Sequence, residues 1–93
     1  MARQITEIMT HAFWSGASKR LSNTEVKDYT MWLFGNRIAW YYNGILFFTL
    51  CGWNTQTTKE RLRGLGINLT SKQGKVYYNG EEINTNSVYE MVV

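Results

Sequence analysis

Lys59, Arg61 and Arg63 fall within two turns of Thr55, Thr57 and Thr58, and this meeting of cations with hydroxyls is the strongest chemical signal in the chain. Ammonium and guanidinium groups supply charge, threonine hydroxyls supply hydrogen bonds, and the first amides of a helix add unpaired donors. Together they are suited to holding a phosphate or another anion. Lys19 and Arg20 form a second basic pair earlier in the chain, and Trp53, just ahead of the threonines, offers a ring on which a base can stack. The candidate binding residues are therefore Lys19, Arg20, Trp53, Thr55, Thr58, Lys59, Arg61 and Arg63.

Catalytic chemistry has less to work with. His11 is the only histidine and Cys51 the only cysteine, so the common triads, a cysteine-based zinc site and an intrachain disulfide all lack their parts. His11 falls away from the apolar stripe of its helix and reads as solvent-facing, and Cys51 reads as a small buried hydrophobe at a strand end. A small metal-dependent hydrolase or nuclease would have to recruit acids such as Glu25 or Asp28. No glycine-rich phosphate loop followed by Lys-Ser or Lys-Thr is present. The expectation is a non-enzymatic protein with no metal and no cofactor.

The elements that must carry these residues can be read from period and turn signals. Thr57 followed by Glu60 has the spacing of a capping box and predicts the start of a short basic helix, with Gly64 and Gly66 available to end it. Before it, Ile5, Ile8, Met9, Ala12 and Phe13 recur at helical spacing, which predicts a core-facing stripe on an N-terminal helix that stops at Gly16. Residues 18–24 read as a polar, basic loop.

From Glu25 the period becomes two, and three strands are expected. The first runs to Phe34, with Tyr29, Met31 and Leu33 on one face and Trp32 and Phe34 on the other. A turn at Gly35-Asn36 leads to Arg37–Tyr42, and Asn43-Gly44 leads to Ile45–Leu50. Apolar rings on both faces of this meander require a cover on each side, either the two helices or one helix and another subunit. After the basic helix, 67–70, 75–78 and 88–93 read as further strands, with turns at Lys72-Gln73-Gly74 and Asn79-Gly80. Tyr-Tyr-Asn-Gly occurs at 41–44 and at 77–80, as two hairpins that meet the same local demand rather than as a duplicated unit.

The chain has 93 residues, enough for one modest core, and the expected organisation is a single domain over residues 1–93. The expected fold is α+β, with an N-terminal helix, a three-stranded antiparallel meander, a short basic helix and a second set of antiparallel strands. Hydrophobic residues make up 44% and charged residues 18%, a globular balance. All ten Lys and Arg lie within residues 1–75 against four acids, while 76–93 carry only Glu81, Glu82 and Glu90. That asymmetry fits an anionic partner for the body of the chain. The longest apolar run, Ile45 to Cys51, is far shorter than the ~20 residues of a membrane helix, and no signal-peptide pattern opens the sequence, so a soluble intracellular protein is expected.

Ser22-Asn23-Thr24, Phe34-Gly35-Asn36 with Ile38-Ala39, Gly52-Trp53-Asn54-Thr55 running into Thr57-Thr58-Lys59-Glu60-Arg61-Leu62, and Asn79-Gly80 together resemble a set of short proteins encoded by tailed bacteriophages. The resemblance spans residues 5 to 80 and implies origin more than mechanism. Small phage proteins of this kind often occupy a host machine. The resemblance therefore implies a stoichiometric binder or inhibitor of a host nucleoprotein defence complex in the host cytoplasm, similar to inhibitors of CRISPR effectors, contacting RNA or DNA backbone and protein. The alternative is a homo-oligomeric structural or assembly protein without nucleic-acid binding.

Overall fold

The computed structural model describes residues 2–93 and is α+β. Helix α1 spans Ala2–Ser15 and helix α2 spans Gln56–Gly64. Between them lie β1 (Lys19–Leu21), β2 (Thr24–Lys27), β3 (Thr30–Leu33), β4 (Asn36–Tyr42) and β5 (Ile45–Phe48). After α2 come β6 (Leu69–Lys72), β7 (Lys75–Tyr78), β8 (Glu81–Ile83) and β9 (Tyr89–Val92). The strands form two antiparallel sheets, one of six in the order β1-β2-β3-β4-β5-β9 and one of three in the order β6-β7-β8.

The meander is longer than its periodicity suggests. Residues 18–24 are a strand and a tight reversal rather than a loop, since Lys19, Arg20 and Leu21 pair with Val26, Glu25 and Thr24. The expected single strand from Glu25 to Phe34 is two strands, reversed at Asp28-Tyr29, where φ is 50° and 59°. Most reversals here place glycine second, and this one has none, so its signal was hidden inside an alternating pattern. The next reversal is at Phe34-Gly35, one residue earlier than Gly35-Asn36. The turns at Asn43-Gly44 and Asn79-Gly80 stand where their sequences put them, and the expected Lys72-Gln73-Gly74 turn narrows to Gln73-Gly74 because Lys72 pairs with Lys75.

One face of the large sheet carries the core. Val26, Met31, Leu33, Ile38, Leu46 and Phe48 are buried with Met9, Ala12 and Phe13 of α1, Leu62 of α2, and Leu69 and Val76 of the small sheet. Tyr78 of β7 meets the Phe48 ring edge-on at 5.1 Å, which joins the small sheet to that same face. Both helices and the small sheet thus cover one side. On the other side Trp32, Trp40, Tyr42, Ile45 and Phe47 stand outside the core cluster. The two-faced aromatic pattern of the meander is real, and α2 does not cover its second face.

Helix α1 turns a slightly different face inward from the one its apolar stripe suggests. Met9, Ala12, Phe13 and Thr6 are buried, whereas Ile8 is exposed. The rotation comes from α2: a Cβ on Gly64 would collide with Thr6 Cγ2 and lie 2.8 Å from Thr10 Oγ1, so the two helices pass at glycine distance. Gly16, at φ 75°, ends α1 as expected, with the Ala17 amide reaching back to the Ala12 carbonyl at 3.1 Å.

Candidate functional site

The basic helix buries three of its polar side chains, Thr58, Lys59 and Arg61. Its cap is Thr55 rather than Thr57: Thr55 has extended φ and ψ of −107° and 157°, and its hydroxyl accepts from the Thr58 amide at 3.2 Å. Thr55 Oγ1 and Thr58 Oγ1 also bond to each other at 2.8 Å. Thr57 lies inside the first turn, so the Thr57–Glu60 spacing is not the cap. Gly64 is the last helical residue, and of the two glycines it is Gly66, at φ 102°, that takes the positive φ.

Three of the expected surface residues are buried: Thr58, Lys59 and Arg61. Successive helical residues rotate by 100°, so Thr58, Arg61, Leu62 and Leu65 share one stripe, and that stripe faces the core. Lys59, Arg61 and Arg63 alternate in sequence and cannot share a helix face. Arg61 is only 1% exposed; its Nε donates to Thr24 Oγ1 at 3.0 Å and its Nη1 to Thr6 Oγ1 at 2.6 Å. Burial weakens its hold on its proton and the neighbouring Glu60 opposes that. Lys59 Nζ donates to Asn54 Oδ1 at 2.9 Å, with its pKa lowered by burial and by the charge of Arg63. Half-buried Arg63 donates from Nε to the Leu69 carbonyl at 2.7 Å. The helix is therefore fastened into the fold by the groups that looked free to bind phosphate.

The other candidates do meet at a surface. Trp53, Thr55 and Thr58 line an apolar notch of about 140 Å³ with Leu33, Phe34, Asn36 and Ile38. Two rings flank it and stand proud of the surface, Phe34 at 70% exposure and Trp53 at 56%. Beyond Phe34 lies a polar hollow of about 240 Å³ walled by Arg20, Ser22, Asn23, Thr24, Glu25, Trp32 and Gly35. Lys19 is exposed beside Arg20 on the outermost strand.

A family model described as Kyanoviridae Gp96 protein matches residues 2–92. The chain belongs to that phage protein family. No curated protein and no solved structure matches it. In this Gp96-family chain the segments around Asn23, Phe34 and Trp53, far apart in sequence, come together around the notch and the hollow. Arg61 ties the same region from beneath through Thr24, whose own hydroxyl donates to Asn23 Oδ1 at 2.8 Å.

Phe34 stands outside the candidate binding residues read from the sequence. Its signal was a large ring placed directly before a turn glycine, where Asn or Asp is the usual choice. Trp40, Phe47 and Arg37, on the uncovered sheet face, were also missed as a group. Trp40 and Phe47 stack at 5.7 Å with planes 11° apart, and the Arg37 guanidinium lies 4.0 Å over the Trp40 ring. Their grouping depends on strand register, which pairs Trp40 with Phe47 and could not be read before the turns were placed.

Among the described residues, no group of three or more His, Cys, Asp or Glu is placed to hold a metal ion. No helix of the described residues is long and apolar enough to cross a membrane.

Proposed function

We propose that this phage protein is a non-enzymatic accessory factor that binds stoichiometrically to a host nucleoprotein complex in the host cytoplasm, with a defence effector of the CRISPR type as the target class. The observation that carries the reading is the pair of exposed rings, Phe34 and Trp53, held on either side of an apolar notch next to Arg20. Rings of this kind stack unpaired bases or fill a partner pocket, while Arg20 meets backbone phosphate. The contact surface moves from α2, whose basic residues are fastened inward, to the notch and the adjoining outer face of the large sheet.

Anisotropy of labelled single-stranded RNA, single-stranded DNA and duplex DNA at two salt concentrations tests the reading. Salt-steep binding to a single strand is expected, with Phe34→Ala and Trp53→Ala each weakening it roughly 5- to 150-fold, from stacking of ~1–3 kcal/mol per base. Arg20→Ala is expected to reduce the salt slope by about one phosphate contact. Unchanged affinity in both ring variants removes the notch from the function.

The second reading is an oligomeric structural or assembly protein. It is favoured by the uncovered face of the large sheet, where Tyr42, Ile45 and Val92 fall in register beside the Trp40–Phe47 stack.

A further inference from the structure

The two edges of the six-stranded sheet differ in charge and match in geometry. One edge is β1, with Lys19 and Arg20, and the other is β9, with Glu90 as its only charged residue. Five successive antiparallel pairings separate them, so β1 and β9 run in opposite directions. A second copy set beside the first in the same orientation would therefore bring β1 against β9 as an antiparallel pair.

The direction of the free backbone groups follows from hydrogen bonds at the strand ends. The Val93 amide bonds the Gly44 carbonyl at 3.1 Å, so by the alternation of an antiparallel ladder Tyr89 and Met91 point at β5. Glu90 and Val92 point their amides and carbonyls away from the sheet. On the other side, the Phe34 amide bonds the Asn23 carbonyl at 2.8 Å, which turns Asn23, Glu25 and Lys27 toward β3, and Thr24 and Val26 toward β1. Their partners Leu21 and Lys19 point inward, and Arg20 points its backbone outward.

Side-chain faces agree as well. Arg20 stands opposite Glu25 and then Trp32, on the uncovered face; Glu90 stands opposite Phe47 and then Trp40, on the same face. Pairing Arg20 of one copy with Glu90 of the next joins two outward-pointing backbones in one hydrogen-bonded pair and sets opposite charges side by side. Ser18 then meets Val92, and Lys19 and Leu21 meet Met91 and Tyr89. Edge strands are commonly protected by lysine, proline or burial. β9 has neither Lys nor Pro, and its own Val92 and the flanking Val88 and Val93 are exposed at 85%, 53% and 60%. Pairing β9 with a second β9 offers no cation to Glu90.

We propose that copies of this chain associate head to tail through β9 of one and β1 of the next, in the Arg20–Glu90 register, which extends the aromatic face from copy to copy. The interface is that of the protein free of nucleic acid, where Arg20 is available to Glu90; a phosphate held by Arg20 would compete with it.

Sedimentation velocity of the purified protein without nucleic acid, over a concentration series at low and near-physiological salt, is the test. The weight-average mass is expected to rise above the 10.9 kDa of one chain with increasing concentration and to fall with added salt. Arg20→Glu and Glu90→Arg are each expected to leave a monomer, and the double variant to regain association; the Arg20 and Glu90 amides should exchange more slowly as association grows. A wild-type monomer at every concentration overturns the proposal. So does an oligomer indifferent to both single substitutions, and so does a double variant that stays monomeric.

Discussion

Arg61 Nη1 donates a hydrogen bond to Thr6 Oγ1, 55 positions earlier in the chain, at 2.6 Å. With the bond from Nε to Thr24 Oγ1, one buried guanidinium joins α2, α1 and β2. A helix of only nine residues is too short to be stable alone, and this cation supplies it with tertiary contacts that its sparse apolar content cannot. Arg61→Ala leaves two buried hydroxyls without their donor and opens a cavity, for a loss of about 3 kcal/mol in unfolding free energy. Chemical denaturation followed by Trp fluorescence measures it. A variant as stable as the parent would show that Arg61 is not what fastens the helices.

Gly64 offers a sign test of the helix contact. In an isolated helix Ala is better than Gly by about 1 kcal/mol, so propensity alone predicts that Gly64→Ala stabilises. The added methyl would instead meet Thr6 Cγ2 and Thr10 Oγ1, and both belong to the facing helix. Separating the helices is expected to cost about 1–3 kcal/mol, which reverses the sign. Thr10 Oγ1 is buried with no hydrogen-bond partner among the described groups, so Thr10→Val, nearly the same shape, should gain about 1 kcal/mol. Melting temperatures of the two variants should move in opposite directions.

Elements whose signals are local are legible in the sequence. The class, the order of the principal elements, the stop at Gly16 and the turns at Asn43-Gly44 and Asn79-Gly80 are each set by a few adjacent residues. The reversal at Asp28-Tyr29 was not legible, because it lies inside a stretch whose alternation continues through the turn. The joining of β9 to β5 and the separation of the small sheet depend on contacts distant in sequence. Of the candidate residues, Trp53 and Arg20 stand at the surface. The basic helix does not present its cations on one surface for a reason present in its sequence: Lys59 and Arg63 are four apart, Arg61 lies on the opposite side from them, and Arg61 shares its stripe with the apolar Leu62.

Cys51 contributes to the pH dependence of stability on the alkaline side. Its thiol donates to the Arg37 carbonyl at 3.0 Å, and burial raises its pKa above the ordinary value of 9.0, against a smaller opposite pull from Arg37. A pKa raised on folding means that the unfolded chain loses this proton first. The thiol's contribution is therefore complete below pH 9.0 and is lost as pH rises through the folded-state value. Denaturation midpoints followed upward from neutral pH should fall in this range for the parent and fall less for Cys51→Ala. Iodoacetamide should alkylate the native protein more slowly than the unfolded one near pH 9.0, since the thiolate is the reacting form.

Phe34 separates stability from binding. Its φ of 50° lies in the left-handed region, which costs an ordinary side chain roughly 1 kcal/mol or more and which Asn tolerates better. Its ring is 70% exposed, so little burial offsets that strain. Phe34→Asn is therefore expected to raise the unfolding free energy by about 1 kcal/mol, because it relieves the turn and removes an exposed ring. The same substitution takes away one side of the notch shared with Trp53, and partner binding should weaken. Differential scanning fluorimetry beside the anisotropy titration distinguishes the outcomes. A variant that is more stable and binds less well supports a strained ring kept for contact, whereas one that is less stable shows that Phe34 serves the fold, and the notch loses its leading residue.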